Sequence, residues 1–188
     1  MIFNTDKIVK NIVTLSLVTM FFSCTNNSDE VKEFFTIKNS PIKIGIDIYH
    51  VYKDSGRITS KMTTPLILDF SNRNEHPYNE FPKGLKLITF ENGGKDSVTI
   101  IGNYALTYSK TMISELKDSV VIINHVDQTK LYTDQLFWDQ NTDYFYSEKK
   151  FMMTTLTDTI YGVGFESKKD LTKFSARQYS SKHIIKEE

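Results

Sequence analysis

Four histidines (His50, His76, His125 and His183) and a single cysteine, Cys24, are the chain's stock of soft metal ligands and strong nucleophiles. The histidines are scattered without the spacing that brings donors to one ion, and one thiol builds neither a cysteine zinc cluster nor an intrachain disulfide. No G-x-S-x-G elbow, P-loop, His-Glu-x-x-His pair or dinucleotide fingerprint occurs. Asp134 and Asp139 invite a reading as general acid and base. Both sit beside apolar strand residues, where solvated turn carboxylates are equally expected. Tyr144-Phe145-Tyr146 would suit stacking on single-stranded nucleic acid, but no basic stripe accompanies it. With 23 basic and 23 acidic residues the net charge is zero, so no overall field draws a polyanion. The expectation is a protein with no catalytic residue, no metal, no cofactor and no nucleic-acid partner.

Cys24 is different, because its surroundings give it a chemistry. Lys7 and Lys10 precede an almost wholly apolar stretch from Ile12 to Phe22, followed by Phe21-Phe22-Ser23-Cys24 and the polar run Thr25-Asn26-Asn27-Ser28-Asp29-Glu30. Eleven residues at about 1.5 Å each, apolar apart from Thr14, Ser16 and Thr19, fall well short of a hydrocarbon core about 30 Å thick, the mark of a signal peptide rather than a membrane-spanning helix. A small residue before a cysteine at such a boundary resembles the bacterial lipobox, although Phe21 stands where that motif usually has an aliphatic residue. The resemblance implies a cleaved leader over 1–23 and a lipidated Cys24 holding the protein on a membrane. The expected organisation is then a lipidated tether over 24–40, a domain over 41–180 and a polar tail over 181–188.

The elements that follow repeat with period two. Ile42–Tyr52 and Arg57–Phe70, the latter broken at Pro65, flank Asp54-Ser55-Gly56, and Asn92-Gly93-Gly94-Lys95 separates Leu85–Glu91 from Ser97–Ile101. These are strand and hairpin signals. Short β-rich runs continue at 104–110, 119–124, 130–133, 136–138, 144–147, 151–156, 159–165 and 171–178. No helical stretch is long enough to carry a parallel crossover. An all-β antiparallel fold is therefore expected. Val98-Thr99-Ile100-Ile101 and Val120-Val121-Ile122-Ile123 are apolar at consecutive positions, which fits either a central strand covered on both faces or an apolar interior wide enough for a lipid.

One combination goes further. Lys130-Leu131-Tyr132-Thr133-Asp134-Gln135-Leu136-Phe137-Trp138-Asp139, then Asp143-Tyr144-Phe145-Tyr146-Ser147, then Ile160-Tyr161-Gly162-Val163-Gly164-Phe165-Glu166-Ser167 resembles the lipopolysaccharide-export family LptC, in its Bacteroidetes-type lipoprotein form. Glu80-Phe81-Pro82-Lys83-Gly84, Gly102-Asn103-Tyr104-Ala105-Leu106 and the Ser119–Asn124 strand support the match, which covers roughly 45–180. Asp118-Ser119 stand where the family commonly has glycine, and a lipidated Cys24 stands in for the transmembrane helix of other members. The resemblance implies an open β-jellyroll with a greasy interior. It implies a role in receiving lipopolysaccharide from an inner-membrane ABC transporter (LptB, LptF, LptG) and passing it to an LptA-like periplasmic bridge. The location implied is the periplasm, anchored to the inner membrane; Ser28-Asp29-Glu30 leave outer-membrane sorting open.

By motif, Phe81 and Ala176 fall where the family lines its lipid groove, and Leu106, Val120, Ile122, Leu136 and Trp138 join them as interior candidates. Parity groups Leu136 with Trp138 and Val120 with Ile122 on common faces without saying which face is inside. Gly162, Gly164 and Phe165 are candidates for docking a neighbour or for close strand packing. The terminal strand around Leu171–Gln178 is a candidate for edge pairing with the next jellyroll. Two other classes stay open: a β-sandwich lipoprotein with a structural or adhesion role, and a hydrolase on an all-β scaffold, which needs two converging carboxylates.

Overall fold

The computed structural model of the protein describes residues 40–183. The leader, Cys24 and nearly all of the expected tether lie outside the described residues, as do 184–188. Eleven strands and a single 3-10 turn at Asn92–Gly94 make up the described chain: β1 (Lys43–Asp54), β2 (Arg57–Phe70), β3 (Tyr78–Phe81), β4 (Leu85–Glu91), β5 (Asp96–Gly102), β6 (Tyr104–Tyr108), β7 (Ile113–Asn124), β8 (Lys130–Asp139), β9 (Tyr144–Thr154), β10 (Asp158–Lys168) and β11 (Phe174–His183). The last strand thus runs three residues into the stretch expected as a tail.

All pairings are antiparallel and follow chain order. β3 and β4 both pair with β2, at Phe70↔Tyr78 and Thr63↔Lys86, so they are one long strand interrupted at Pro82-Lys83-Gly84. β6 and β5 pair with β7 in the same manner, at Tyr104↔Lys117 and Ile101↔Val121, interrupted at Asn103. The sheet is a meander whose outermost strands, β1 and β11, each pair on one side only among the described residues.

The interruptions fall on one line. Asp47 in β1 has φ 51° and Gly84 φ 75°, and Pro65, which has no N–H to give a ladder, sits opposite Asp47 in β2. Asp118 and Ser119 adopt φ 59° and 56° where β7 slips register against β8 between Lys117 and Val120. β8 slips against β9 between Thr133 and Phe137, and β10 against β9 at Gly164, φ 71°. These breaks are neighbours: Asn103 N donates to Asp118 O at 3.0 Å, and a Cβ on Gly84 would lie 2.3 Å from Gly102 O. Bulges bend and twist strands, and a file of them across adjacent strands creases the sheet. Backbone groups freed there are met by buried hydroxyls. Thr64 Oγ1 donates to Gly84 O (2.8 Å), Thr133 Oγ1 to Lys150 O (2.9 Å) and Ser147 Oγ to Gln135 O (2.7 Å). Leaving such carbonyls unpaired in the interior would cost about 1–3 kcal/mol each.

Folding along the crease makes two layers from one sheet, with the core between them. One register row inside the first layer, Phe81, Ala105, Leu116, Leu136, faces a row inside the second, Met62, Leu87, Ile100, Ile122, Leu131, Met153. Phe151 in the second layer meets Phe165 and Phe174 of the first edge-on, with centroids at 5.4 and 5.3 Å. This is the open antiparallel jellyroll. β5 is buried on both faces at Val98, Thr99 and Ile100, whereas the end of β7 alternates.

Candidate functional site

Between the layers, at the end away from the phenylalanine cluster, is a cavity of about 350 Å³. That volume lies within the range of small-molecule sites. Its depth is apolar: Met62, Leu85, Leu87 and Ile100 from the second layer and its joining strand, Phe81, Ala105 and Leu116 from the first. Its rim is polar. Register puts Asn79, Thr107, Ser114 and Trp138 in one row inside the first layer, and Thr107 Oγ1 and Gln140 Nε2 lie 2.9 and 2.7 Å from Ser114 Oγ. The same row continues as Phe145, Ser167 and Phe174. There it is closed by Trp138 edge-on to Phe145 (6.0 Å). The Trp138 indole Nε1 is buried and has no hydrogen-bond partner among the described residues. A donor left over in a cavity wall is a place for a ligand carbonyl.

Of the residues singled out in the sequence, Phe81 and Trp138 line the cavity. Val120, Ile122 and Leu136 point to the same interior but are enclosed in solid packing, each 1% exposed or less. Ala176 is paired with Phe165 and packs on the core from β11. Leu106 is turned the other way: its register partners Glu80 and Glu115 lie on the outer face, and Ala105 takes the inner position. Gly162 is the tight approach in the molecule's second layer, since a Cβ there would come within 2.3 Å of Gln178 O and 2.6 Å of the Phe151 ring. Phe165 is buried in the aromatic cluster, and Gly164 lies under the aliphatic stem of Arg177, whose Cδ would be 3.3 Å from an added Cβ. Sequence parity alone could not have found Met62, Leu87, Ile100, Ala105 and Leu116 as the cavity's depth.

Asp134 and Asp139 lie five positions apart on β8, about 16 Å of strand, so they do not converge. The Asp139 carboxylate is held below the ordinary value chiefly by the Asn141 N–H, 2.9 Å away, which favours its charged form. On the outer face Tyr104 donates to Glu80 (2.9 Å). Burial and then that neighbouring carboxylate push its phenol well above the ordinary tyrosine value. His125 Nε2 is 2.8 Å from Thr99 Oγ1, and no group of three His, Cys, Asp or Glu side chains among the described residues is arranged to hold a metal.

A jellyroll folded on a crease, with an apolar cavity and the motifs around Trp138 and Gly162, is what the family comparison addresses. The family model described as lipopolysaccharide-assembly, LptC-related, matches residues 17–175. The chain belongs to the LptC family. No curated protein sequence matches it. As an LptC-family protein it is a component of lipopolysaccharide transport, in a family of transport proteins rather than enzymes. The family is associated with the periplasm and inner membrane; among the described residues no helix is long and apolar enough to cross a membrane.

Proposed function

We propose that this LptC-family protein receives lipopolysaccharide from the inner-membrane ABC transporter formed by LptB, LptF and LptG, shelters its acyl chains in the interior cavity and passes them to an LptA-like periplasmic bridge. The observation that carries this reading is the cavity itself, apolar in depth and polar at its rim. An acyl chain in water exposes hundreds of Å² of apolar surface at about 25 cal/mol per Å², and Met62, Leu87, Ile100, Phe81 and Leu116 replace that water without chemistry. Transfer favours such non-directional contacts, because cargo must also leave, while direction is supplied by ATP hydrolysed in the transporter. Lipidation at Cys24 would keep the domain beside its donor with no spanning helix. β1 and β11, each with one edge unpaired among the described residues, offer main-chain groups to neighbouring jellyrolls.

The test is in-cell photocrosslinking from Phe81, Trp138, Ala176 and Leu106. Lipopolysaccharide adducts at Phe81 and Trp138 that vanish when the ATPase is disabled, with none at the outward-facing Leu106, are the expected result. An anchored, folded protein that gives no adduct at Phe81 or Trp138 would sink cargo transit and leave a β-sandwich lipoprotein with a structural role.

A further inference from the structure

A second concavity, about 750 Å³, lies on the outer face of the first layer over β9, β10 and β11. Its walls are Tyr144, Tyr146 and Glu148 from β9, Glu166 from β10, Arg177 from β11, Asp139 from the end of β8 and Thr142 from the turn after it, and Phe165 and Ala176 reach it from the strands beneath. Tyr146, Glu166 and Ser175 form one register row, so these side chains rise side by side from adjacent strands. The Tyr146 ring is stacked on Phe137 (5.2 Å, 14°) and still 38% exposed, which makes it a fixed platform rather than a free rotor. The glycine at 164 leaves room for Arg177 to lie across β10 and reach Glu148 at 2.5 Å. The one guanidinium of the pocket is therefore already engaged.

The chemistry of these walls selects a ligand class. Three carboxylates, Asp139, Glu148 and Glu166, against one committed cation repel phosphate and sulfate. Carboxylates accept hydrogen bonds from hydroxyl groups, and aromatic faces take up the C–H faces of pyranose rings. Hydroxyl-rich, uncharged sugars match both.

The pocket's position supplies the rest. Side chains alternate faces along a strand, and at the end of β8 this separates the two concavities by a single strand's thickness. Trp138 and Gln140 line the interior cavity, whereas Asp139 and Thr142 line the outer pocket. The turn between is pinned by Gln140 N to Met112 O (3.0 Å) and Asn141 Nδ2 to Thr111 O (3.2 Å). A lipid whose polar end leaves beside Trp138, whose Nε1 lacks a partner, emerges at this turn. We propose that the outer pocket binds the neutral sugars of the glycolipid whose acyl chains occupy the interior cavity, the molecule bending around the end of β8. The inference rests on the cargo reading above and adds to it a saccharide site on the opposite face.

Trp138 is the protein's one tryptophan, so its emission reports the interior cavity alone. The full-length lipoprotein in detergent is titrated with complete lipooligosaccharide and with lipid A freed of its outer sugars. The wild type is expected to bind the complete glycolipid about tenfold more tightly. Tyr146→Ala with Glu166→Gln, both exposed positions, is expected to erase that preference and leave lipid A binding unchanged. Glu166→Gln alone, nearly isosteric, should erase part of it. Equal wild-type affinities, a preference kept by the double variant, or equal weakening of both ligands would overturn the saccharide site. If neither ligand moves Trp138 emission, the acyl-cavity reading fails instead. Saturation transfer from the protein to delipidated oligosaccharide then decides the outer pocket: transfer lost in the double variant retains it, and no transfer to the wild type removes it.

Discussion

The two ends of the sandwich are folded on the same crease, yet one is solid and the other is hollow. Over β9–β11 the layers are joined by Phe151, Phe165 and Phe174 in mutual contact, with Phe145 and Ser167 fully enclosed beneath. Over β3–β7 the facing positions are Ala105, Thr107 and Ser114, too small to meet Leu87 and Ile100, and the cavity opens. What the hollow end lacks inside it replaces outside: Glu115, nearly buried on the outer face, receives Lys117 (3.0 Å) and Gln135 (2.5 Å), and Tyr104 ties Glu80. The cavity comes from small residues on an otherwise ordinary register, with the missing cohesion partly made up by polar ties on the far side of the sheet.

That contrast is open to attack at five positions. Phe151→Ala removes a ring that joins the layers and should cost about 3–5 kcal/mol, read as a lowered midpoint in urea. A loss below 1 kcal/mol would mean the solid end is not what holds the layers together. Gly162→Ala drives a methyl into the Phe151 ring and the Gln178 carbonyl and should cost about 1–3 kcal/mol. The double variant Gly162→Ala, Phe151→Ala should then cost less than the sum, since the clash is partly with that ring. Ala105→Leu fills the hollow end and should alter stability by less than about 1 kcal/mol while abolishing adducts at Phe81. The comparable enlargement Ser167→Leu at the solid end should destabilise by more than 1 kcal/mol. Smallest is Tyr104→Phe. A phenol whose value is raised on folding contributes stability that is intact below the ordinary value near pH 10 and lost as pH rises above it. The wild type should weaken in that alkaline window and the variant should weaken less.

Much of this was legible in the residues. Period-two runs, Gly-rich turns and the lack of helical stretches gave the antiparallel all-β class, and the motifs around Trp138 and Gly162 gave the family. The crease was legible only as damage. Residues 130–133 and 136–138 read as two strands, as did 144–147 and 151–156, because Asp134-Gln135 and Glu148-Lys149 resemble turns; in the structure each pair is one strand bent at a bulge. Asp118 and Ser119 take up positive φ without being glycine, so the bend is kept without the easiest residue for it. Leu106 shows what a bulge does to parity. Ile100 and Gly102 face inward, and counting by two would carry the inner face to Leu106, but the break at Asn103 shifts it to Ala105. The outer tyrosine pocket showed in the residues only as Asp139 and the Tyr144-Phe145-Tyr146 alternation, since its residues alternate with core residues on the same strands.

The order of the strands bears on how the protein comes to exist. Because β3 with β4, and β5 with β6, each act as one interrupted strand, every such strand pairs with the one made just before it, and no segment has to wait for a partner from a distant part of the chain. Loop closures stay short, and the loop-entropy barrier that slows most all-β proteins is correspondingly low. A growing chain can therefore add one hairpin at a time to its edge, with each new strand covering the exposed edge of the last. On this account the aggregation hazard of an unfinished sheet is confined to its leading strand throughout assembly.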